Sequence, residues 1–179
     1  MKYSLIADAY ERIEATTKRL EMTDYLVQLL KNTPLRVIDK VVYLTQGKLY
    51  PDFVGIEIGV AEKLALRAVA KAAGRGEKEI EEELRKTGDL GATTQKFLEK
   101  KAQVTFFQEL LTVEKVYDTL DKMAKSTGAG SMEQKINLLA GLLANATPKE
   151  AKYLIRTVTG ELRLGIADMT VLDALAVAY

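Results

Sequence analysis

The sequence predicts an all-α, pseudo-two-fold domain of about ten helices, and three observations predict it. Apolar residues recur at spacings of three and four along nearly every segment, with no convincing alternating run. Prolines and capping residues stand where helices should begin, at Pro34, Thr112 and Thr147-Pro148. One pattern also occurs twice with the same internal spacing. Gly59-Val60-Ala61-Glu62 precedes Leu64, Leu66 and Ala68-Val69-Ala70, and Gly165-Ile166-Ala167-Asp168 precedes Thr170, Leu172 and Ala174-Leu175-Ala176. Upstream, Gly47-Lys48-Leu49 pairs with Gly160-Glu161-Leu162, and Tyr10 with Tyr117. This reads as an internal duplication within one domain, with halves at about 1–74 and 112–179 and a connecting segment at 75–111.

In chain order, residues 3–15 place Leu5, Ile6, Ala9, Tyr10 and Ile13 on one stripe. A polar break from Thr16 to Arg19 precedes a helix with Leu26, Leu29 and Leu30 that stops near Pro34, which opens the next helix with Val37, Ile38, Val41, Val42 and Leu44. The insert at 50–58, with Tyr50, Pro51, Phe53 and Gly55, is expected to be a loop packed by its own aromatics. A helix over about 60–73 closes at Gly74-Arg75-Gly76. Residues 77–86 form an acidic helix whose charges follow its dipole, with Arg85-Lys86 at the end. Thr87-Gly88-Asp89-Leu90-Gly91 is expected to be a tight turn, and Gln103-Val104-Thr105-Phe106-Phe107 an exposed loop or strand tip. Thr112 caps a helix to Lys125, while Ser131 with Gln134 and Thr147 with Glu150 make capping boxes for the next two. The last helix follows Gly165 and carries Val171, Leu172 and Leu175.

The chain of 179 residues has neither cysteine nor histidine, which removes disulfides, thiolate nucleophiles, imidazole bases and the usual zinc sites. No Walker loop occurs, and the acidic cluster from Glu77 to Glu83 reads as a solvated helix face. Neither a signal peptide nor an apolar run long enough to span a bilayer is present, so an intracellular, cytoplasmic protein without a membrane partner is expected. A net charge of +1 means that nucleic-acid binding would depend on where charges sit.

Small-residue turns fall around Gly59, around Gly88 and Gly91, from Thr127 through Gly128 to Gly130, and from Gly160 to Gly165. Basic side chains accompany them: Lys18, Arg19, Lys48, Lys96, Lys100, Lys101, Lys125, Arg156 and Arg163. Glycine admits a ligand close to the backbone, and the helix start that follows offers unpaired N–H groups and a partial positive charge. That combination suits sequence-independent binding of a duplex through its phosphates and minor groove. A second reading makes the turns ordinary helix ends, and the chain a helical protein-interaction module that binds a protein through Phe106-Phe107 and has no DNA affinity.

The residues themselves carry a resemblance. Residues 150–175, EAKYLIRTVTGELRLGIADMTVLDAL, resemble the end of the N-terminal DNA-binding domain of ATP-dependent DNA ligases of the archaeal and eukaryotic replicative type. So do GIEIGVAEKL from Gly55, TGDLG from Thr87 and STGAGS from Ser126, and the resemblance runs over essentially the whole chain. The resemblance implies a monomeric, all-helical domain that grips nicked duplex DNA across the minor groove, in an enzyme of replication, repair and recombination. It implies contacts from Gly160, Arg163, Gly165 and Ala167, with Arg156 close by, and from the partner turns at Gly59, Gly88 to Gly91 and Thr127 to Gly130. Glu161 stands where relatives often carry a basic residue, and Asp168 where glutamate is common. The segment with Gln103, Phe106 and Phe107 resembles the motif by which archaeal ligases dock on the sliding clamp, proliferating cell nuclear antigen. The family's chemistry uses ATP and Mg²⁺ in adenylation and OB-fold domains with a K-x-D-G motif, which is absent here, so this chain alone is expected to need no cofactor and to seal nothing.

Overall fold

The computed structural model describes residues 1–102 and 109–179. Among these residues the chain forms ten α-helices: α1 (Ser4–Glu14), α2 (Arg19–Lys31), α3 (Ile38–Thr45), α4 (Glu62–Ala73), α5 (Glu77–Thr87), α6 (Leu90–Ala102), α7 (Val113–Lys125), α8 (Ser131–Asn145), α9 (Pro148–Val158) and α10 (Asp168–Ala178). Short 3-10 turns, Leu35–Val37 and Asp52–Val54, lead into α3 and shape the insert. No strand forms among the described residues. An isolated antiparallel bridge pairs Lys2 with Thr112, tying the first residues to the start of α7 through Val113 N–H to the Met1 carbonyl at 2.8 Å.

Local chemistry explains most of the helix ends. The α9 capping box forms as expected: the Thr147 hydroxyl accepts from the Glu150 N–H at 3.2 Å and the Glu150 carboxylate accepts from the Thr147 N–H at 2.9 Å. Thr112 caps α7 by accepting from the Lys115 N–H at 3.1 Å. Three helices end on a left-handed glycine, with the next N–H reaching back to a carbonyl five residues earlier. These are Lys48 to Tyr43 at 2.9 Å, Arg75 to Ala70 at 3.0 Å and Glu161 to Arg156 at 2.8 Å.

The core follows from which helices meet. α9 is the most enclosed, with Tyr153, Leu154, Ile155 and Val158 all fully buried between α6 and α1. Around it α4 packs on α8, α10 on α2, α1 on α2, α7 on α8 and α3 on α7, while α5 lies against α4 and α6. Tyr10 meets Tyr153 edge-on at 5.6 Å and gives its hydroxyl hydrogen to Thr45 at 3.1 Å, so it joins α1, α9 and α3 at once.

Several expectations need correction. Leu5 and Leu172 stand in about half-exposed positions outside their helices' buried stripes. The insert is not packed by its own aromatics: Phe53 is bare, and Tyr50 packs on Tyr117 of α7 instead. Ser131 makes no capping box. Gly130 precedes α8, and Gln134 receives its hydrogen bond from Ser126, at 2.7 Å. Gly91 lies inside α6 and not in the turn before it.

Candidate nucleic-acid interface

The turn after α9 is the ridge on which the site is built. Thr159 ends the helix with its hydroxyl on the Ile155 carbonyl at 2.7 Å, and Gly160 turns the chain with φ +74°. The next residues fold back through Arg163 N–H to the Glu161 carbonyl at 2.9 Å, while buried Leu164 pins the loop to the core. Gly165, at φ +73°, then leads to Ala167 in extended conformation at the start of α10, where no side chain caps the N–H groups.

A recess opens on either side of this ridge. One, of about 410 Å³, lies between the Gly88 turn and residues 159–163, with Gly91, Arg156 and Arg163 in its lining. The other, of about 420 Å³, lies between the insert and the ridge, and brings Gly59 and Lys48 to Gly160. Thr159 lines both. The insert is held there by Val60 N–H on the Val158 carbonyl at 3.0 Å.

The turn at Gly59 shares two features with the turn at Gly165, a glycine of positive φ and an uncapped helix start. Gly59 has φ +33°, Ala61 is extended at the start of α4, and no side chain caps that helix either. Lys48 links the insert to the start of α10, 3.0 Å from Asp52 and 3.6 Å from Asp168. The Met22 methyl lies 3.7 Å from where a Cβ on Gly165 would be, which sets α2 against this turn one helical turn beyond Lys18 and Arg19.

Charge in the first recess is mixed. Glu14, Glu62, Asp89 and Glu161 line it beside Arg156 and Arg163. Arg156 is already engaged: its Nε–H reaches Asp89 at 3.4 Å, its Nη2–H also bonds Asp89, and its Nη1–H reaches Glu14 at 2.8 Å. Glu14 accepts as well from the Tyr153 hydroxyl at 2.6 Å. Partial burial works against ionising Glu14 and Asp89, but the hydrogen bonds from Tyr153 and Arg156 to Glu14, and from Arg156 to Asp89, outweigh it and hold both below the ordinary carboxylate range. Arg163 is in contrast largely exposed, 2.8 Å from Glu161.

The other predicted positions separate. Thr127, Gly128 and Gly130 join α7 to α8 and line neither recess, although neighbouring Lys125 gives a hydrogen bond to Tyr50 at 3.0 Å on the rim of the second. Lys96 pairs with Glu83 at 2.6 Å across α6 and α5. Gly91 has a packing reason of its own, since a Cβ there would stand 2.8 Å from both Arg156 Cγ and the Lys152 carbonyl oxygen. Gln103, Phe106 and Phe107 lie outside the described residues. Sequence reasoning missed Asp89, which accepts from the Gly91 N–H at 2.9 Å and so caps α6 while fixing Arg156. Its position just before an apolar helical stripe was the available signal.

The arrangement can hold phosphate oxygens with N–H groups and an arginine. Among the described residues no group of three or more acidic, cysteine or histidine side chains could hold a metal ion, and no helix is long and apolar enough to cross a membrane. The family model for the DNA ligase N terminus matches residues 2–176. The chain is 57% identical over 186 residues to "DNA ligase 2" of Thermofilum pendens, covering 100% of this chain and 31% of that protein. It is 53% identical over 179 residues to a DNA ligase of Nitrosopumilus maritimus, covering 100% of this chain and 30% of that one. Against a probable DNA ligase of Aquifex aeolicus it is 49% identical over 180 residues, with coverages of 100% and 30%. The chain thus spans under a third of the length of these relatives.

Proposed function

The chain belongs to the DNA ligase N-terminal family, and from that premise we propose that it binds nicked duplex DNA without regard to sequence, through the backbone and the minor groove. The observation that carries this reading is the pair of matching turns. Gly59 with Ala61 and Gly165 with Ala167 each combine a left-handed glycine with an uncapped helix start, and Lys48 links the insert to the second. Such turns let N–H groups meet phosphate oxygens at close range.

The same pairing supports a pseudo-two-fold domain descended from a duplication. Lys48 after Gly47 and Glu161 after Gly160 close their helices with the same five-residue hydrogen bond. α4 on α8 corresponds to α10 on α2, and α1 on α9 to α7 on α3, so each half packs on the other. A dyad of this kind suits the antiparallel strands of a duplex. Within the reading, Gly59, Gly160, Arg163, Gly165 and Ala167 touch DNA, Lys18 and Arg19 flank them, and Gly88, Thr127, Gly128, Gly130 and Lys96 lie further out. Arg156 and Gly91 build the recess and do not touch DNA.

Nick sealing, with its ATP and Mg²⁺, is assigned to domains carrying the K-x-D-G motif that this sequence lacks. The resemblance of the segment with Gln103, Phe106 and Phe107 to a clamp-docking motif supports the sliding clamp as a second partner. Binding to a nicked duplex tests the central reading: affinity should be indifferent to sequence and steep in salt, and a sequence-restricted response would overturn it.

A further inference from the structure

Phe53 is the most exposed large hydrophobic side chain among the described residues, at 91%. A phenyl ring left in water forgoes the favourable burial of its apolar surface. Its loop is nevertheless firmly braced. At its base Lys48 pairs with Asp52 at 3.0 Å. Tyr50 gives its hydroxyl hydrogen to Asp121 at 2.7 Å and packs on Tyr117, which fixes the loop to α7. Pro51 sets the entry, and Gly55, at φ +71°, turns the chain immediately after the 3-10 turn that carries Phe53 and half-exposed Val54.

The loop therefore holds a bare aromatic ring in a fixed place. That place is the rim of the recess between the insert and α9: Asp52 and Gly55, on either side of Phe53 and Val54, both line it, together with Gly59, Gly160 and Lys48. Proteins that approach the minor groove through backbone and cations frequently add an apolar wedge beside those contacts, set against sugars or between base steps. We infer that Phe53, with Val54 beside it, is the apolar anchor of the DNA interface, seated in the minor groove of the duplex. This rests on the duplex-binding reading and adds to it a residue that reads neither charge nor sequence.

The test is the affinity of this chain for a labelled nicked duplex across a salt series, for the wild type and for Phe53→Ala, Phe53→Tyr and Leu35→Ala. Leu35 is also strongly exposed but lines neither recess, so it controls for the loss of any exposed apolar group. Seating the ring in the groove removes its apolar surface from water, so Phe53→Ala should weaken binding about ten-fold at every salt concentration. The salt slope should stay unchanged, with Phe53→Tyr near wild type and Leu35→Ala without effect. Wild-type duplex binding that Phe53→Ala leaves intact would overturn the inference, leave duplex binding standing and assign the ring to a protein partner. A loss that comes with a flatter salt slope would overturn it too, because the defect would then lie in phosphate contacts. A wild type that binds no duplex would sink the functional reading and the inference together.

Discussion

Arg156 and Asp89 are joined across α9 and α6 by a forked ion pair, with both Nε–H and Nη2–H of the guanidinium directed at one carboxylate. The same carboxylate caps α6 through the Gly91 N–H, so the pair fixes the Gly88 turn against the ridge after α9. Arg156→Ala leaves Asp89 and Glu14 without their shared partner. It should cost about 2 kcal/mol, less than the 3–5 kcal/mol for a fully buried pair because water reaches Asp89. Arg156→Lys should recover only part of this, since an ammonium cannot fork. Urea denaturation of the variants measures both.

The same network sets an acid limit. The carboxyls of Glu14 and Asp89 are both held below their ordinary range in the folded chain. The unfolded chain therefore takes up protons first as pH falls, and their contribution is complete above the unfolded range near about pH 4 and is lost through the lower folded values. The stability gap between wild type and Arg156→Ala should be widest near about pH 6 and narrow by about pH 3. A gap that does not change with pH would contradict the assignment.

Gly91 and Gly88 are close in sequence but should fail differently. Gly91→Ala drives a Cβ into the Arg156 stem and the Lys152 carbonyl, each at 2.8 Å, so α6 and α9 must move apart at a cost of about 1–3 kcal/mol. Gly88→Ala meets nothing within 4 Å and carries only the strain of φ +68°, about 1 kcal/mol. Thermal melting of the two variants should rank them in that order.

These two glycines also mark what the sequence conveys. The α9 capping box, the Thr112 cap and the glycine after α9 were legible because each depends on residues within a few positions. Gly91 was not, because its reason is the approach of another helix. Arg156 looked available for phosphate because its partners lie 67 and 142 residues away in the chain. Leu5 and Leu172 fit an apolar stripe by spacing, but a stripe does not say how wide a face the neighbouring helices cover. The two glycine turns were visible because Gly59 and Gly165 stand before similarly spaced apolar residues, whereas the bare ring of Phe53 and the bracing of its loop needed the fold.

If the recess beside α9 meets DNA as proposed, Glu161 weakens its hold. It sits 2.8 Å from Arg163 and adds a carboxylate to a recess already lined by Glu14, Glu62 and Asp89. Glu161→Lys should raise duplex affinity and steepen the salt dependence by about one unit, while Arg163→Ala should weaken binding to all sequences alike and flatten it by about one unit. Salt titrations of the two variants against one duplex read both signs.

The proposed activity is a grip on the duplex through the DNA backbone, whatever its sequence. Fluorescence anisotropy of a labelled nicked duplex, titrated with the chain at several salt concentrations and repeated with an intact duplex of unrelated sequence, tests it most directly. Both should be bound, and log affinity should fall against log salt with a slope of roughly −0.9 for each phosphate neutralised. Absence of binding at low salt, or binding confined to one sequence, would contradict it.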